Sequence, residues 1–190
     1  MLKLWNQKKT EAEAQRGKQR VQPSKIRLQK DLGELERDDN TDIVFDNVED
    51  QTRFTVVYRP PAELYVGGEF RFSFEVSDSY PHEPPKVLCL QKIYHPNIDT
   101  MGHVCLNILR EDWNPVLNIQ AVIFGLQMLF MAPTPDDPLN VDAAQNMHDD
   151  LALFKRNIAT SMRGGTINDT TYDYVLADQQ NEARGRQQRH

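Results

Sequence analysis

Two turns in the chain carry residues suited to acyl transfer. The first, Tyr94-His95-Pro96-Asn97, presents an amide side chain. The second presents the thiol of Cys105, eight residues after Asn97. Pro96 fixes its own φ and disfavours helix at the residue before it, so the first turn is stiff. Cysteine suits a nucleophile because several per cent of a thiol with a pKa of about 8.5 is thiolate at neutral pH. Asn97 has two N–H donors for the oxygen of a tetrahedral intermediate.

Each of these residues also has a purely structural interpretation. Free cysteines are among the most buried residue types, so Cys105 is equally compatible with a core thiol behind an ordinary turn. The Asn97 amide fits a brace for the loop as well as it fits an oxyanion donor, and the sequence does not separate the two roles. His95 has the chemistry of a general base, but its place in the turn favours a structural role. Cys89, which lies between two leucines, is predicted to be a core residue.

Four motifs in and around these turns resemble ubiquitin-conjugating enzymes, the thioester carriers of ubiquitin and its relatives. They are Tyr80-Pro81-His82-Glu83-Pro84-Pro85, the His95-Pro96-Asn97 turn with Cys105, Trp113 eight residues beyond Cys105, and Pro135-Asp136-Asp137-Pro138-Leu139-Asn140. Their order and spacing follow that family across about residues 24–177, the predicted catalytic domain. The resemblance implies an α+β fold with an N-terminal helix, a four-stranded antiparallel meander and C-terminal helices.

The resemblance also implies a role for each site residue. Cys105 would hold the C-terminal glycine of a ubiquitin-like modifier as a thioester, Asn97 would stabilise the oxyanion, and Asp137 would lie beside the cysteine. A carboxylate there can orient an incoming lysine and accept its proton, provided that partial desolvation offsets the rise in lysine pKa that charge attraction causes. Asp136 is interpreted as part of a solvated turn. Three further residues are interpreted as structural supports near the site: His95, Pro96 and Trp113.

The N-terminal part of the chain differs in charge from the rest. Residues 1–27 carry eight Lys and Arg against Glu11 and Glu13, whereas the remainder carries 14 basic and 26 acidic residues. Residues 6–22 are polar with no regular apolar face, so we predict a flexible docking arm over residues 1–23. A basic arm suggests nucleic-acid binding, but this one lacks the interleaved aromatic residues of nucleic-acid modules, which favours a protein partner.

The arm begins with an apolar cluster made of Met1, Leu2, Leu4 and Trp5. Exposed apolar side chains usually indicate a binding partner. The cluster resembles the docking peptide of the neddylation branch of the family, although Trp5 is bulkier than the aromatic residue expected there. By that resemblance, its partners are the heterodimeric activating enzyme and a co-ligase that recognises an acetylated Met1. An extended arm of this length spans up to about 75 Å, enough to reach a separate enzyme.

Hydrophobic patterning predicts the elements that position the site. A helix is predicted from Pro23-Ser24, with Leu28, Leu32 and Leu35 along one face. Strands are predicted at 43–45, 53–59, 70–76 and 86–90, and a long irregular segment at 91–116 carries the site residues. A buried helix is predicted at about 119–130, followed by helices at 141–148 and 150–162 and a last short helix within 168–177. Residues 178–190 are predicted to form a disordered tail.

Composition and motif spacing indicate the compartment and argue against a membrane span, a structural zinc site and a phosphate loop. Two cysteines and no signal peptide fit a reducing compartment, so the cytoplasm and nucleus are expected. No apolar run approaches the roughly 18 residues of a membrane span. No cysteine or histidine pairs have the spacing of a structural zinc site. Gly67-Gly68 lacks the surroundings of a phosphate loop, so no cofactor is expected, and ATP would be used by the activating enzyme.

Together these patterns predict an acyl transferase of the neddylation branch. It would take a ubiquitin-like modifier from its activating enzyme and pass it to a lysine, on a cullin by the same resemblance, together with a RING-type ligase. Two alternatives stay open at this stage. One is a ubiquitin carrier of the same fold, and the other is a non-catalytic binding module in which Cys105 is a packed thiol.

Overall fold

The computed structural model describes residues 22–36 and 38–177. The apolar cluster at the start of the predicted arm and the predicted tail both lie outside these ranges. Helix α1 begins at the predicted position and spans Pro23–Gly33. Proline suits the first turn of a helix because the missing N–H has no intrahelical partner there. Leu28 is buried, whereas Leu35, the last residue of the predicted stripe, lies beyond the end of the helix.

The predicted four-stranded meander is confirmed. Its strands are β1 (Thr41–Phe45), β2 (Arg53–Tyr58), β3 (Phe70–Glu75) and β4 (Lys86–Cys89), paired antiparallel in that order. Side chains alternate between the two faces of a strand. In β3 this alternation turns Phe70, Phe72 and Phe74 inward, where each is at most 1% exposed.

Three helices pack after the sheet: α2 (Ile119–Met131), α3 (Val141–Asp149) and α4 (Leu151–Met162). Each begins at a polar N-cap whose side chain accepts a backbone N–H of the first turn, and these caps are Asn118, Asn140 and Asp150. None of the helices within the described ranges is long and apolar enough to cross a membrane.

Helix α2 is less buried than predicted. One face carries Phe130 into the centre of the core, where it meets the rings of Tyr58, Tyr65 and Phe70. The other face exposes Phe124 at 58% and Met128 at 44%. Residues four apart lie on the same side of a helix, so these two form one solvent-facing apolar stripe.

The predicted helix within residues 168–177 is wrong. In its place, β5 (Thr166–Ile167) and β6 (Thr170–Thr171) form a short hairpin. Both turn residues, Asn168 and Asp169, have positive φ, at 46° and 64°. Asn and Asp tolerate this conformation, and a two-residue turn with positive φ at both positions matches the twist of a hairpin.

The segment after this hairpin is attached to the sheet by its backbone. The Glu69 N–H donates to the Val175 carbonyl at 2.7 Å, and the Ala177 N–H donates to the Gly67 carbonyl at 3.0 Å. The Glu69 carboxylate is 1% exposed and pairs with Arg59 and Arg71 at 2.9 and 2.7 Å. Residues 172–177 therefore form a strap that is bonded to the residues just before β3, rather than a helix.

Candidate active site

The His95-Pro96-Asn97 turn is held by a buried imidazole. Nε2 of His95 lies 3.0 Å from the Leu129 carbonyl oxygen, and Nδ1 accepts the Asn97 N–H at 3.0 Å. This pattern requires the proton on Nε2. Burial lowers the pKa of His95 to about 4, so the ring is neutral at pH 7. It also stacks on Tyr65 with a centroid distance of 5.1 Å. Both nitrogens are bonded to backbone groups, one in α2 and one in the turn, which leaves neither free to act as a base at the cysteine.

The Asn97 amide connects this turn to the loop of residues 133–140, here called the acidic loop. Its Oδ1 accepts the Thr134 N–H at 3.1 Å, and its Nδ2 donates to the Thr134 carbonyl at 3.0 Å. The residue is 2% exposed. These contacts are those of a brace. Among the described residues Thr134 is the only partner of the amide, so the second N–H of Nδ2 has no partner there.

Cys105 lies half-buried on the irregular segment of residues 91–118, here called the active-site segment. Its backbone N–H donates to the Asn97 carbonyl at 2.8 Å, which fixes the cysteine against the turn. Its Sγ lies 3.5 Å from the carbonyl oxygen of Asp137. The thiol is thus held between the two loops and reaches the surface.

Gly102 makes the approach of the active-site segment to the sheet possible. Its φ is +88°, and an added Cβ would lie 2.1 Å from the carbonyl oxygen of Cys89. The Cys89 N–H donates to the Gly102 carbonyl at 2.8 Å. Only glycine combines this φ with so close a backbone contact.

The acidic loop is tied to the turn through Pro96. The Pro96 carbonyl accepts the N–H groups of Leu139 and Asn140, each at 3.0 Å. Asp137 has a positive φ of 45°, which directs its carbonyl toward Cys105 while its side chain is exposed. The Asp136 carboxylate accepts the Thr134 hydroxyl at 3.2 Å, as expected of a turn residue. The structure therefore places the Asp137 backbone beside the cysteine, whereas the Asp136 carboxylate is bonded within its own turn.

Trp113 lies further along the active-site segment and connects it to a neighbouring turn. Its Nε1–H donates to the Pro81 carbonyl at 2.9 Å, and its ring lies 6.0 Å from that of Tyr80. The Tyr80–Pro81 peptide bond is cis. Trp113 thus anchors the segment to the Tyr80-Pro81 turn, and none of its contacts with the described residues suggests a chemical role.

A buried polar cluster below this turn was missed by sequence reasoning. The Asp31 carboxylate is 3% exposed and accepts the Tyr80 hydroxyl and, at 2.8 Å, Nε of Arg27. Arg27 also donates to the carbonyls of Pro115 and Leu117. The cluster thus joins α1 to the turn that contains Tyr80 and to the last residues of the active-site segment. Its one local signal was the opposite charges of Arg27 and Asp31 four residues apart on a helix.

The structure brings together Cys105, Asn97 and Asp137, with His95 and Pro96 in the same turn as Asn97. Trp113 instead contacts the Tyr80-Pro81 turn. Met1, Leu2, Leu4 and Trp5 lie outside the described residues. Within residues 22–36 and 38–177, no three His, Cys, Asp or Glu side chains are grouped to hold a metal ion. The arrangement suits a partly exposed thiol that accepts an acyl group, with an amide donor and a carboxylate nearby for a second substrate.

Comparison with known proteins identifies the family. A family profile described as ubiquitin-conjugating enzyme matches residues 27–162. The NEDD8-conjugating enzyme UBC12 of Yarrowia lipolytica is 51% identical over 177 residues, which cover 93% of this chain and 99% of that protein. The NEDD8-conjugating enzyme ubc12 of Schizosaccharomyces pombe is 44% identical over 180 residues, covering 93% and 100%.

The fold leads to the same family. The solved structure of S. cerevisiae Ubc12 superposes with a TM-score of 0.80 at 37% identity, covering 93% of this chain and 98% of that one. A Toxoplasma gondii ubiquitin-conjugating domain superposes with a TM-score of 0.63 at 29% identity, over 70% and 93% of the two chains. With the motifs, the fold and the site in agreement, this chain belongs to the ubiquitin-conjugating enzyme family.

Proposed function

We propose that this protein conjugates NEDD8, carrying it as a thioester on Cys105. The observation that supports this most strongly is the set of NEDD8-conjugating relatives, led here by the 51% identical Yarrowia enzyme, whose likeness covers 93% of the chain. The site geometry agrees with a carrier, because Cys105 is only half-buried and its backbone is fixed against the Asn97 turn.

The chemistry needs two acyl transfers. In the first, the Cys105 thiolate attacks the thioester of the activating enzyme, so one C–S bond forms, another breaks, and the enzyme thiolate leaves. The two thioesters are similar in energy, so the modifier stays activated. In the second, a lysine amine attacks the Cys105 thioester, a C–N bond forms, the C–S bond breaks, and the Cys105 thiolate leaves. The amine gives up its proton to the Asp137 carboxylate or to water. Asn97 would donate to the oxyanion in this step, and Asp137 would orient the amine.

The exposed stripe of Phe124 and Met128 supports a contact with the bound modifier. Helix α2 packs directly on the active-site segment, since a Cβ added at Gly125 would lie 2.9 Å from the Leu106 side chain, one residue past Cys105. A modifier linked to Cys105 is therefore tethered within reach of this stripe. Burying two such side chains stabilises a contact by roughly 1.5–3 kcal/mol each when burial is complete.

The remaining partners follow from the same proposal. The apolar cluster of Met1, Leu2, Leu4 and Trp5 would bind the activating enzyme and a co-ligase. A cullin lysine would accept the modifier with the help of a RING-type ligase. ATP would be consumed by the activating enzyme, and the protein would act in the cytoplasm and nucleus, where a fluorescent fusion should localise.

The modifier is tested by a charging assay with each activating enzyme, ATP and its own modifier. We expect a reducible adduct with NEDD8 and little with ubiquitin. Deletion of residues 1–20 should slow NEDD8 charging at low enzyme concentration, whereas truncation at residue 177 serves as a control of the opposite terminus. Efficient charging by ubiquitin alone would refute the choice of modifier and leave a ubiquitin carrier as the function.

A further inference from the structure

An imidazole–carboxylate pair lies on the active-site segment just before the cysteine. Nδ1 of His103 is 2.8 Å from Oδ2 of Asp99. The other carboxylate oxygen, Oδ1, accepts the backbone N–H groups of Met101 and His103, each at 2.9 Å. Partial burial raises the pKa of Asp99, but the hydrogen bonds from His103 and Met101 outweigh it and the pKa lies below its ordinary value. The carboxylate is therefore ionised and held in place at neutral pH.

The contact with Asp99 decides which nitrogen of His103 is available. An ionised carboxylate only accepts hydrogen bonds, so Nδ1 carries the proton and Nε2 of the neutral ring keeps its lone pair. Nε2 has no partner among the described residues, and the imidazole is 62% exposed. The pair therefore presents a proton acceptor to solvent, in the same arrangement as the His and Asp of a catalytic triad.

His103 and Cys105 lie on the same side of the active-site segment. Val104 between them is paired with Ile98 in an antiparallel bridge, and both of these residues are buried. Because side chains alternate along an extended chain, the two neighbours of Val104 share the face opposite to it. Their Cα atoms are roughly 6.5–7 Å apart at this spacing. An amine that attacks a thioester on the Cys105 sulfur is thus within reach of Nε2, directly or through one water molecule.

The other charged groups near His103 balance one another. The ring lines a groove of about 680 Å³ together with Glu83, Lys86, Asp99 and Arg110, two groups of each sign. Among the described residues, Asp99 is the one that contacts the ring, and the acidic loop contributes no charged side chain to this groove. The protonation of the ring therefore depends mainly on its own contact with Asp99.

The second acyl transfer needs a group that takes a proton from the attacking amine. The Asp137 carboxylate is exposed, and no hydrogen bond or ion pair with the described residues holds it in place. A general base acts best when its pKa lies near the working pH, which suits an imidazole better than a carboxylate. His103 is also oriented by Asp99, so it is the better placed of the two to accept the proton.

We propose that Nε2 of His103 accepts the proton that the acceptor lysine loses during transfer, with Asp99 as its positioning residue. The neutral amine donates its lone pair to the thioester carbonyl carbon, a C–N bond forms, and the C–S bond breaks as the Cys105 thiolate leaves. The amine proton passes to Nε2, directly or through one water molecule, and Asp99 stabilises the imidazolium. The imidazolium then gives the proton to the thiolate or to solvent. The inference rests on the proposed function, because this proton is released only if Cys105 carries an acyl group.

The test uses full-length protein charged with NEDD8, separated from ATP and activating enzyme, and discharged to free lysine. In His103→Gln the amide keeps a hydrogen-bond donor toward Asp99 but cannot take up a proton. We expect discharge at pH 7 to be about tenfold slower, less than the roughly 10²–10⁴ typical of a general base, because water reaches this exposed site and takes the proton instead. NEDD8 charging should be unchanged, because a thiolate attacks in that step and no amine loses a proton.

A second imidazole–carboxylate pair provides the matched control. Nδ1 of His148 lies 2.6 Å from Oδ1 of Asp149 on α3, and this imidazole is 75% exposed. His148→Gln makes the same chemical change in an equally exposed pair outside the active-site segment. It should charge and discharge at the rates of the unmodified protein, and a loss equal to that of His103→Gln would overturn the assignment to His103.

The pH profile separates a base from a structural support. The neutral fraction of lysine rises about tenfold per pH unit below its pKa, so the logarithm of the discharge rate rises by about one per unit when only the amine titrates. A base that must also be unprotonated steepens this slope below about pH 7, where histidine changes charge. We expect the steeper slope in the unmodified protein and in His148→Gln, and a slope of about one in His103→Gln.

Two further measurements examine the pair itself. In Asp99→Asn the imidazolium loses its charged partner, so the steep part of the profile should move to lower pH while charging persists. Imidazole added to the buffer should restore part of the discharge rate of His103→Ala and leave the unmodified protein unaffected, because a free base then replaces the missing one. No rescue together with a flat pH comparison would contradict the proposed proton transfer.

The outcomes also separate this inference from the proposed function. Equal discharge rates and equal slopes for the unmodified protein and His103→Gln would overturn the inference and leave the proposed function intact. A loss shared equally by charging and discharge would assign His103 to the shape of the site, which also overturns it. Failure of the unmodified protein to form a thioester would instead overturn the proposed function.

Discussion

Cys89 and Cys105 lie in adjoining regions of the molecule but in opposite environments. Cys89 ends β4, is 5% exposed, and donates its thiol to the Gln91 carbonyl at 3.2 Å. Burial raises its pKa to about 12. Cys105 is half-buried on the active-site segment, with its sulfur 3.5 Å from the Asp137 carbonyl oxygen. The two regions are directly bonded, because the Cys89 N–H donates to Gly102.

The contrast shows that environment, rather than residue type, separates a reactive thiol from a core thiol. At the end of β4, Cys89 is buried in the core. The active-site segment lifts the other to the surface and fixes its backbone against Asn97. Gly102 lets the two segments meet, because its missing side chain allows the active-site segment to contact the end of β4.

The largest expected effect is on thiol reactivity. A thiol with a pKa of about 12 is thiolate in about one molecule in 10⁴ at pH 8, and burial also excludes the reagent. We expect iodoacetamide to alkylate Cys105 at least about 10³-fold faster than Cys89, as measured by peptide mass spectrometry over time. Cys105→Ala should remove the fast phase and Cys89→Ala should preserve it. Similar rates at the two positions would contradict the contrast.

The next largest effect separates the two roles of Asn97. If its free N–H stabilises the oxyanion, Asn97→Ala should slow transfer to lysine by about 10²-fold. If it is only a brace, the variant should lose stability and charging together. Charging, discharge to lysine and urea unfolding are to be measured on the same protein. Thr134→Pro removes the N–H that binds Oδ1 and serves as a matched control for bracing.

Gly102→Ala should break the contact between the two regions. The added Cβ would meet the Cys89 carbonyl at 2.1 Å, and φ is +88°. We expect a loss of about 3 kcal/mol in the free energy of unfolding, from left-handed strain together with the forced backbone shift. Gly67→Ala, also at positive φ but with nothing within 4 Å, should cost only the strain. Equal losses in the two variants would show that the contact is unimportant.

The last effect, gradual because it is spread over more than two pH units, is a pH dependence that comes from His95. Its pKa is about 4 in the folded protein against an ordinary value of 6.5. Between these values the unfolded chain binds a proton that the folded protein excludes, so acid favours unfolding. The free energy of unfolding should fall by about 1 kcal/mol per pH unit, about 3 kcal/mol in all, as the pH drops from 6.5 to 4. His95→Gln should flatten this slope in urea titrations, and an unchanged slope would place the effect elsewhere.

Much of the fold was predictable because its signals are local. The alternating phenylalanines of β3 and the polar N-caps of the later helices act within a few residues of themselves. The error at residues 168–177 has the same origin. Tyr172, Val175 and Leu176 have helical spacing, but Asn168-Asp169 adopt left-handed conformations and form a hairpin turn. The backbone after the hairpin then makes its hydrogen bonds with residues just before β3 instead of within a helix.

The site was predictable as a set of residues but not as a geometry. The partner of Asn97 is the backbone of Thr134, 37 residues away, and that of Asp31 is Tyr80, 49 residues away. No local pattern encodes such contacts. Nor does the sequence reveal that the Asp137 carbonyl contacts the Cys105 sulfur, since that depends on a single positive φ.

A thioester on Cys105 is tested most directly by mapping the adduct that forms with the activating enzyme, ATP and modifier. The unmodified protein and the Cys89→Ala variant should both form an adduct that a reducing agent removes, and mass spectrometry of the trapped species should place the modifier on Cys105. Cys105→Ala should form none. A reducible adduct that persists in Cys105→Ala, or that maps to Cys89, would contradict the assignment of the carrier residue.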